Sequence, residues 1–136
     1  MKISLYATLA ALALATPSFG QDVAAGEKEF TKCKACHAII ADDGTAIVKG
    51  GKVGPNLYGV VGRQVGSVAD FKYKDAILAV DATGMVWDEA ELATYMTDPV
   101  EWLKAKTGDA GAKSGMTHKQ KTKQADIAAY LASVKP

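Results

Sequence analysis

The spacing of apolar residues near the carboxyl terminus predicts an amphipathic helix from about residue 122 to residue 134. Four of them recur with a helical period: Ile127, Ala128, Leu131 and Val134. Residues at this spacing share one stripe of an α-helix, and Tyr130 lies at the edge of that stripe. We therefore expect this helix to bury one side against the rest of the domain.

A second helix is predicted at the other end of the domain, over residues 21–32. Asp22 is its expected cap, because an aspartate side chain accepts a hydrogen bond from a backbone N–H of the first turn. Gly26 and Phe30 lie four positions apart and share one face. Since glycine destabilises the interior of a helix, Gly26 indicates close contact with another helix at that face.

Two further helices are predicted on either side of Pro99. Asp88 is a helix-cap residue, and Glu91 follows it at the spacing of a capping box. The helix that begins there has one apolar face, formed by Leu92, Tyr95 and Met96. Pro99 ends this helix and suits the first turn of the next one, which contains Trp102 and Leu103.

The remaining segments are rich in glycine and have no regular period. A short helix is predicted over residues 70–80 and ends at Thr83-Gly84, whereas residues 38–68 and 107–122 are predicted to be loops. No alternation typical of strands and no internal repeat is present. A chain of 136 residues is expected to form one domain. The predicted fold class is therefore all-α, a single domain with long loops.

Residues 1–20 have the pattern of a secretory signal peptide. Lys2 precedes an apolar run from Leu5 to Ala15, which is too short to span a bilayer as a mature helix. Small residues that end at Gly20 then match the positions read by a signal peptidase. We expect cleavage after Gly20, which leaves residues 21–136 as the periplasmic domain. An uncleaved membrane anchor is the alternative.

The segment Cys33-Lys34-Ala35-Cys36-His37 contains both cysteines and one of the two histidines of the chain. C-x-x-C-H is the attachment signature of a c-type haem. Two thiols at this spacing can bond to the edge of a porphyrin, and the adjacent imidazole can ligate its iron. We therefore predict one covalent haem c bound to Cys33 and Cys36, with His37 as an axial iron ligand.

Three other chemistries are open to the same motif. A dithiol redox site expects a strand before it and a βαβ pattern around it, and the sequence shows neither. A structural zinc site needs four ligands, and the fourth could only be His118, with His37 directly adjoining Cys36. A disulfide between cysteines this close is uncommon. Haem attachment is the interpretation that fits the export signal.

The second axial ligand has four candidates: Met85, Met96, Met116 and His118. Met96 lies on the apolar face of a predicted helix, where packing explains it. Met116 follows a glycine in a long loop and is favoured, with Met85 and His118 as alternatives. A thioether opposite an imidazole stabilises ferrous iron and fills both axial positions. This ligand set favours electron transfer over catalysis.

Charge is balanced overall but unevenly distributed. The chain has 16 basic and 15 acidic side chains, and one of the basic residues, Lys2, lies in the expected signal peptide. Residues 75–101 carry seven carboxylates and no Lys or Arg, whereas residues 104–124 carry six lysines and one aspartate. We expect a strong dipole and a lysine-rich docking surface.

With these motifs, the chain resembles the class I cytochromes c, in particular the bacterial cytochrome c2 / c-550 group. The resemblance covers residues 21–136. It is carried, beside the C-x-x-C-H motif, by Gly54-Pro55-Asn56-Leu57-Tyr58-Gly59-Val60-Val61-Gly62-Arg63, Phe71-Lys72-Tyr73, Trp87, Tyr95 before Asp98-Pro99, and Ala112-Lys113-Ser114-Gly115-Met116-Thr117. It implies a cytochrome c fold, in which helices and glycine-rich loops surround one covalent haem.

The resemblance also implies a role for individual residues. Cys33 and Cys36 would form thioethers, His37 and Met116 would be the axial ligands, and the Pro55 carbonyl would hold the imidazole. The buried propionate region would receive hydrogen bonds from Arg63, Tyr73 and Trp87. The first and last helices would meet at Gly26, Phe30 and Tyr130.

Two expectations concern the surroundings of the sulfur ligand. Tyr95 would lie near the Met116 sulfur. The chain departs from the group at His118, since related proteins usually carry an aromatic residue, most often Phe, two positions after the methionine ligand. We interpret His118 as a polar replacement at the rim of the haem crevice.

The function implied by the resemblance is that of a periplasmic one-electron carrier, not an enzyme. It would take electrons from a cytochrome bc complex and pass them to a photosynthetic reaction centre, a terminal oxidase, or both. Docking would be transient, through lysines around the haem edge that include Lys32 and Lys34. The protein is expected to be a monomer that binds no nucleic acid. The alternatives are a haem enzyme or ligand sensor with a labile sixth position, and a thiol–disulfide oxidoreductase.

Overall fold

Helices form most of the regular structure in residues 20–136, the part of the chain that the computed structural model describes. Five α-helices are present there: α1 (Val23–Glu29), α2 (Asp75–Asp81), α3 (Glu89–Thr97), α4 (Pro99–Thr107) and α5 (Gln124–Ser133). The predicted all-α class is confirmed. The signal peptide expected over residues 1–20 lies outside the described residues, apart from Gly20. Within the described part, no helix is long and apolar enough to cross a membrane.

A small antiparallel sheet interrupts the segment that the sequence predicts to be free of strands. Strand β1 (Ile39–Ile40) pairs with β2 (Ala46–Val48), and Ile39 is fully buried. The prediction of an entirely irregular segment over residues 38–68 was therefore wrong here. Strands of two and three residues are too short to show a two-residue alternation in the sequence.

Helix α1 begins where the sequence predicts and ends earlier. The Asp22 side chain accepts a hydrogen bond from Ala25 N at 3.1 Å, which confirms the cap. The helix ends at Glu29 and continues as a 3₁₀ turn, Phe30–Lys32. The two cysteines therefore lie in a turn that follows this 3₁₀ segment.

The contact between α1 and α5 is as close as Gly26 indicates. A Cβ built at Gly26 would overlap the carbonyl oxygen of Asp126 in α5. Next to this crossing, the rings of Phe30 and Tyr130 lie 5.7 Å apart. Tyr130 is buried rather than at the edge of the stripe. This helix pair positions the turn that carries the cysteines.

Helix α2 starts five residues later than the predicted start at residue 70. Asp70 has a φ of 63°, in the left-handed region, so it cannot belong to a right-handed helix. The helix begins at Asp75 and ends at Asp81. A left-handed backbone conformation at a non-glycine residue depends on surrounding contacts, so the order of apolar and polar residues near Asp70 does not predict it.

Helices α3 and α4 have aspartate caps, but the predicted capping box does not form. Asp88 accepts from Glu91 N at 2.7 Å and Asp98 accepts from Glu101 N at 3.1 Å. The Glu91 carboxylate does not return to the cap; it accepts from Trp102 Nε1 at 2.7 Å. This bond joins α3 to α4, so a residue predicted to act locally has a tertiary role.

An aromatic cluster lies beside these two helices. Trp87 stacks on Trp102 with ring centroids 5.0 Å apart, and Tyr95 meets Trp102 edge-on at 5.2 Å. Trp87 and Tyr95 are themselves 5.1 Å apart. Such contacts stabilise a fold beyond the burial of apolar area alone.

We expect Gly26→Ala to destabilise the protein, although alanine normally stabilises the interior of a helix. The new methyl group would force α1 away from the backbone of α5. Overpacking of this kind lowers the free energy of unfolding by about 2–3 kcal/mol or more. Guanidinium unfolding of the holoprotein measures the change.

Gly111→Ala is the control for this substitution, because the nearest atom to its added Cβ is a flexible Asp109 oxygen at 3.3 Å. We expect it to change stability little. Equal effects of the two substitutions would contradict the close helix contact at Gly26.

Candidate haem site

The C-x-x-C-H segment forms a tight turn directly after the 3₁₀ segment. Cys33 N donates to Phe30 O at 2.8 Å, and both Cys36 N and His37 N donate to Cys33 O, at 3.1 and 3.0 Å. The two cysteines are free thiols; Cys33 is half-buried and Cys36 is exposed. One thiol therefore faces the interior and the other faces the surface.

A glycine-rich strip, residues 50–54, clamps this turn from the outside. Gly51 N donates to Lys34 O at 2.9 Å and Gly54 N donates to Cys36 O at 2.8 Å. Side chains at residues 50 and 51 would overlap the carbonyl groups of His37 and Ala35. The sequence predicted a loop here, and the structural role of these glycines is close approach to the cysteine turn.

The imidazole of His37 is held in one orientation. Its Nδ1 lies 2.8 Å from Pro55 O, and because a carbonyl oxygen only accepts, Nδ1 carries the proton. Burial lowers the pKa of His37, which favours the neutral ring. Nε2 is then left with a free lone pair, the form in which histidine ligates a metal. Gly54 lies so close to the ring that a Cβ there would overlap it.

Asn56 anchors the segment that carries the Pro55 carbonyl. Its side-chain oxygen accepts from Ile40 N at 2.9 Å and from Tyr58 N at 3.1 Å, and its amide donates to Ile40 O at 2.8 Å. Asn56 belongs to the motif of residues 54–63, but nothing in the sequence indicated its role. It ties the loop to strand β1 and keeps the carbonyl beside the imidazole.

The environment of Cys33 disfavours a dithiol redox site. Burial, with smaller contributions from Glu29 and Cys36, raises the pKa of its thiol to about 11. Reactive thiols in disulfide oxidoreductases have lowered pKa values, because the thiolate is the nucleophile. A raised thiol pKa is the opposite of what that chemistry requires.

A metal cage is not formed by the side chains of residues 20–136. No cluster of three or more His, Cys, Asp or Glu side chains that could hold an ion occurs among them. His118, the fourth ligand that a zinc site would need, is exposed and bonds through Nε2 to Gln120 Oε1 at 2.8 Å. The zinc interpretation therefore has no geometric support.

Three side chains predicted to contact propionates have donors without a carboxylate partner in the described chain. Arg63 donates to Tyr58 O at 3.1 Å, forms no ion pair there, and has its pKa lowered by burial. The hydroxyl of Tyr73 accepts from Val68 N at 3.1 Å, which leaves its own proton available. Trp87 Nε1 has no acceptor within residues 20–136, and the backbone N of Trp87 donates to Arg63 O at 2.9 Å.

Trp87 Nε1 is not sealed in the interior, because residues 20–136 contain no enclosed side-chain nitrogen or oxygen that lacks a hydrogen-bond partner. This donor, the hydroxyl proton of Tyr73 and the remaining N–H groups of Arg63 could bond to an anionic group such as a carboxylate.

Met116 is half-buried and packs against the apolar core. Its backbone N donates to Ser114 Oγ at 3.0 Å. The phenol of Tyr95 has a raised pKa, mainly from burial, and the Ser114 side chain opposes this shift. The Ser114 side chain therefore lies close to both the Tyr95 phenol and the backbone of Met116.

The other ligand candidates have different surroundings. Met96 is buried on α3, which confirms its packing role. Met85 is half-buried against the core, and its carbonyl accepts from Val65 N at 2.9 Å. His118 already uses Nε2 in a hydrogen bond. Taken together, the oriented imidazole, the two free thiols and the unused donors fit a covalent haem.

Ion pairs join the lysine-rich segment to the acidic one. Three lysines contact carboxylates of residues 75–101: Lys104 with Glu101 at 3.0 Å, Lys106 with Glu91 at 2.6 Å, and Lys119 with Asp98 at 2.9 Å. These pairs bring part of the lysine-rich segment against the acidic one, and the expected dipole stays a prediction. Lys113 and Lys121 are exposed and form no ion pair within residues 20–136.

Comparison with known proteins decides the family. The chain is 61% identical over 140 residues to cytochrome c-550 of Paracoccus versutus, covering 100% of this chain and 91% of that protein. It is 60% identical over 135 residues to cytochrome c2 of Rhodobacter capsulatus, covering 98% of each. The chain belongs to the cytochrome c2 / c-550 group of class I cytochromes c. Cytochromes c2 / c-550 are electron-transfer proteins, not enzymes, and carry one covalently bound haem c.

Solved cytochrome structures agree with this assignment. Ferric cytochrome c-550 from Paracoccus versutus matches with a TM-score of 0.83 and 59% identity, covering 85% of this chain and 99% of that one. Cytochrome c2 from Rhodobacter capsulatus matches with a TM-score of 0.82. A scan against models of protein families finds no match.

The ion pair between Asp98 and Lys119 should make stability depend on acid pH. Hydrogen bonds from Lys119 and from Glu101 N lower the pKa of Asp98 from its ordinary value of 3.8. A carboxyl with a lowered folded-state pKa stabilises the fold above its unfolded value, and this contribution is lost as pH falls through the folded value. We expect Asp98→Asn to be less stable than wild type at neutral pH, with a difference that shrinks below about pH 4.

Asparagine keeps the helix cap, so this variant isolates the lysine contact. Unfolding measured across the acid range tests the prediction. Asp88→Asn is the matched control, since no lysine contacts that cap in the described chain. The same pH dependence in both variants would contradict a role for Lys119.

Proposed function

We propose that this cytochrome is a periplasmic one-electron carrier whose haem is bound by thioethers to Cys33 and Cys36 and ligated by His37 and Met116. The observation that carries the proposal is the imidazole of His37, which directs a free Nε2 lone pair away from the Pro55 carbonyl. Such a haem, when bound, supplies a reversible one-electron couple at its iron.

The protein residues define what the site permits. His37 and Met116 would both ligate the haem iron, which would leave no position for a substrate or for an external gas. A thioether ligand stabilises the ferrous state and raises the reduction potential. The Pro55 carbonyl fixes the tautomer of the first ligand, as partners of metal-bound histidines commonly do.

Polar side chains would hold the anionic edge of the cofactor. Arg63, Tyr73 and Trp87 supply donors that lack a carboxylate in the described chain. Two propionates in this region would pair with them through charge-assisted hydrogen bonds. Tyr95 would lie beside the sulfur of the second ligand, a position supported by the closeness of Ser114 to both residues.

Export would follow from the first twenty residues. A signal peptide over residues 1–20 would deliver residues 21–136 to the periplasm, where haem is attached to this motif. The mature chain would be a monomer without a membrane anchor. This assignment is supported by the sequence pattern alone.

The redox partners would be a cytochrome bc complex as donor and a photosynthetic reaction centre or a terminal oxidase as acceptor. Cys36 and Lys34 are exposed, so the cofactor edge beside them would reach the surface. Lysines without a carboxylate contact, Lys34, Lys113 and Lys121, would give this surface its positive charge. Electrostatic attraction of this kind speeds association and keeps complexes weak.

The wild-type ferrous protein should show sharp haem bands that carbon monoxide does not change, because Met116 occupies the iron. Met116→Ala should bind the gas readily, since the variant lacks the thioether. Reduced-minus-oxidised spectra with and without carbon monoxide measure both.

Met85→Leu and His118→Phe are the matched variants for the other candidate ligands. We expect neither to open the iron to carbon monoxide. Ready binding by wild type would support the ligand sensor or haem enzyme instead, and a protein without visible absorption would support the dithiol enzyme.

Docking to a redox partner is expected to depend on ionic strength. The bimolecular rate with an acidic membrane partner should fall as ionic strength rises, because salt screens attraction between exposed charges. Lys113→Gln should slow this reaction more than Lys104→Gln, since Glu101 already neutralises Lys104 at 3.0 Å. Stopped-flow kinetics with a purified bc complex provide the rates. A rate independent of salt would refute electrostatic steering.

A further inference from the structure

Gln120 is the one buried polar or charged residue in the described part of the chain, with 3% of its surface exposed. It lies in the loop between α4 and α5, four positions after Met116. Burial of an amide is unfavourable unless every donor and acceptor finds a partner. The surroundings of Gln120 meet that condition.

The side chain of Gln120 bonds in three directions. Its Nε2 donates to Glu29 Oε1 at 2.8 Å and to Thr122 O at 2.9 Å. Its Oε1 lies 2.8 Å from His118 Nε2. Because Glu29 and the Thr122 carbonyl can only accept, the amide nitrogen must face them, and its oxygen must face His118. His118 therefore donates through Nε2.

The backbone of Gln120 is bonded as well. Its N–H donates to Met96 O on α3 at 2.7 Å, and its carbonyl accepts from Gln124 Nε2 on α5 at 2.8 Å. One residue thus connects the loop to three helices, because Glu29 is the last residue of α1.

Among the bonds of Gln120, the one to Glu29 joins the residues that are farthest apart in the sequence. Glu29 lies four positions before Cys33, and it is itself held by Lys32 Nζ at 2.5 Å. The hydrogen bond between Gln120 and Glu29 spans 91 positions of sequence. It therefore joins the loop that carries one proposed iron ligand to the helix that leads into the haem-attachment turn.

We propose that Gln120 is a positioning residue that anchors the Met116 loop to α1 and so resists displacement of Met116 from the iron by an external ligand. The proposal rests on the proposed function, in which Met116 is the sixth ligand. The reason is physical: the loop, residues 108–123, contains no helix or strand, so its position depends on individual contacts.

Movement of the loop as a whole away from α1 would break the bond from Gln120 to Glu29. Elsewhere in the loop, Ala112 and Met116 pack against the apolar core, and Lys119 pairs with Asp98 at the surface. Exposed pairs contribute little to stability. In the described part of the chain, the bond from Gln120 to Glu29 is the only hydrogen bond between residues 108–123 and α1.

The test uses ferric holoprotein and imidazole as the external ligand. Loss of the long-wavelength absorption band of a thioether bound to ferric iron reports displacement of Met116. We expect Gln120→Leu and Glu29→Ala each to raise the affinity for imidazole by about tenfold, the scale of a lost buried hydrogen bond. The double variant should match either single one, because both remove the same link.

Two further variants separate this effect from general destabilisation. Glu29→Gln keeps an oxygen that accepts from Gln120, so the affinity should stay at the wild-type value. Gln64→Leu removes a glutamine that donates two hydrogen bonds to Asp81, outside the Met116 loop, and should also leave it unchanged. If Gln120→Leu does not fold, the contrast between Glu29→Ala and Glu29→Gln carries the test.

The anchoring role would be overturned if Gln120→Leu bound imidazole with wild-type affinity. It would also be overturned if the double variant multiplied the two single increases in affinity, or if Gln64→Leu raised the affinity as much as Gln120→Leu. A wild-type protein without the thioether band would instead overturn the assignment of Met116, which is a distinct result.

Discussion

The hydrogen bond from His37 Nδ1 to Pro55 O is the contact on which the arrangement of the site depends. It selects one tautomer and one ring orientation, and burial keeps the imidazole neutral. The bond in turn requires the backbone at Gly54 to lie directly against the imidazole ring, where a side chain would overlap the ring. Asn56 holds this backbone to β1, so a small irregular element determines the direction of the proposed metal ligand.

The helices serve this arrangement by holding the two ends of the chain together. Helices α1 and α5 cross at Gly26, and the crossing positions the cysteine turn that follows the 3₁₀ segment. Helices α3 and α4 are joined through Glu91 and the aromatic cluster. Between these two pairs lies the loop of Met116. Through Gln120 the loop is hydrogen-bonded to both pairs, to Glu29 of α1 and to Met96 of α3, although it has no regular structure.

The close relationship to cytochromes c2 and c-550 agrees with this arrangement, in which helices position the loops that carry the proposed iron ligands. An electron carrier needs a cofactor that changes little in geometry between its two oxidation states, and the two rigid iron ligands that we propose would provide that. The exposure of Cys36 beside the half-buried Cys33 is consistent with a cofactor that is enclosed on most sides and open at one edge. The neighbouring lysines would then act on association and not on the redox chemistry itself.

The sequence by itself determined the features whose chemistry is local. The C-x-x-C-H motif predicted covalent haem, and helical periods and aspartate caps at Asp22 and Asp88 predicted most of the helices, because these signals lie within a few residues of one another. The tertiary structure decided the partners of residues whose neighbours are distant in the chain. Glu91 bonds to α4 instead of its own cap, residues 50–51 are glycine because another backbone passes there, and Gln120 is buried against Glu29. A polar side chain can bond equally well to several partners, and only the folded chain selects which one is within reach.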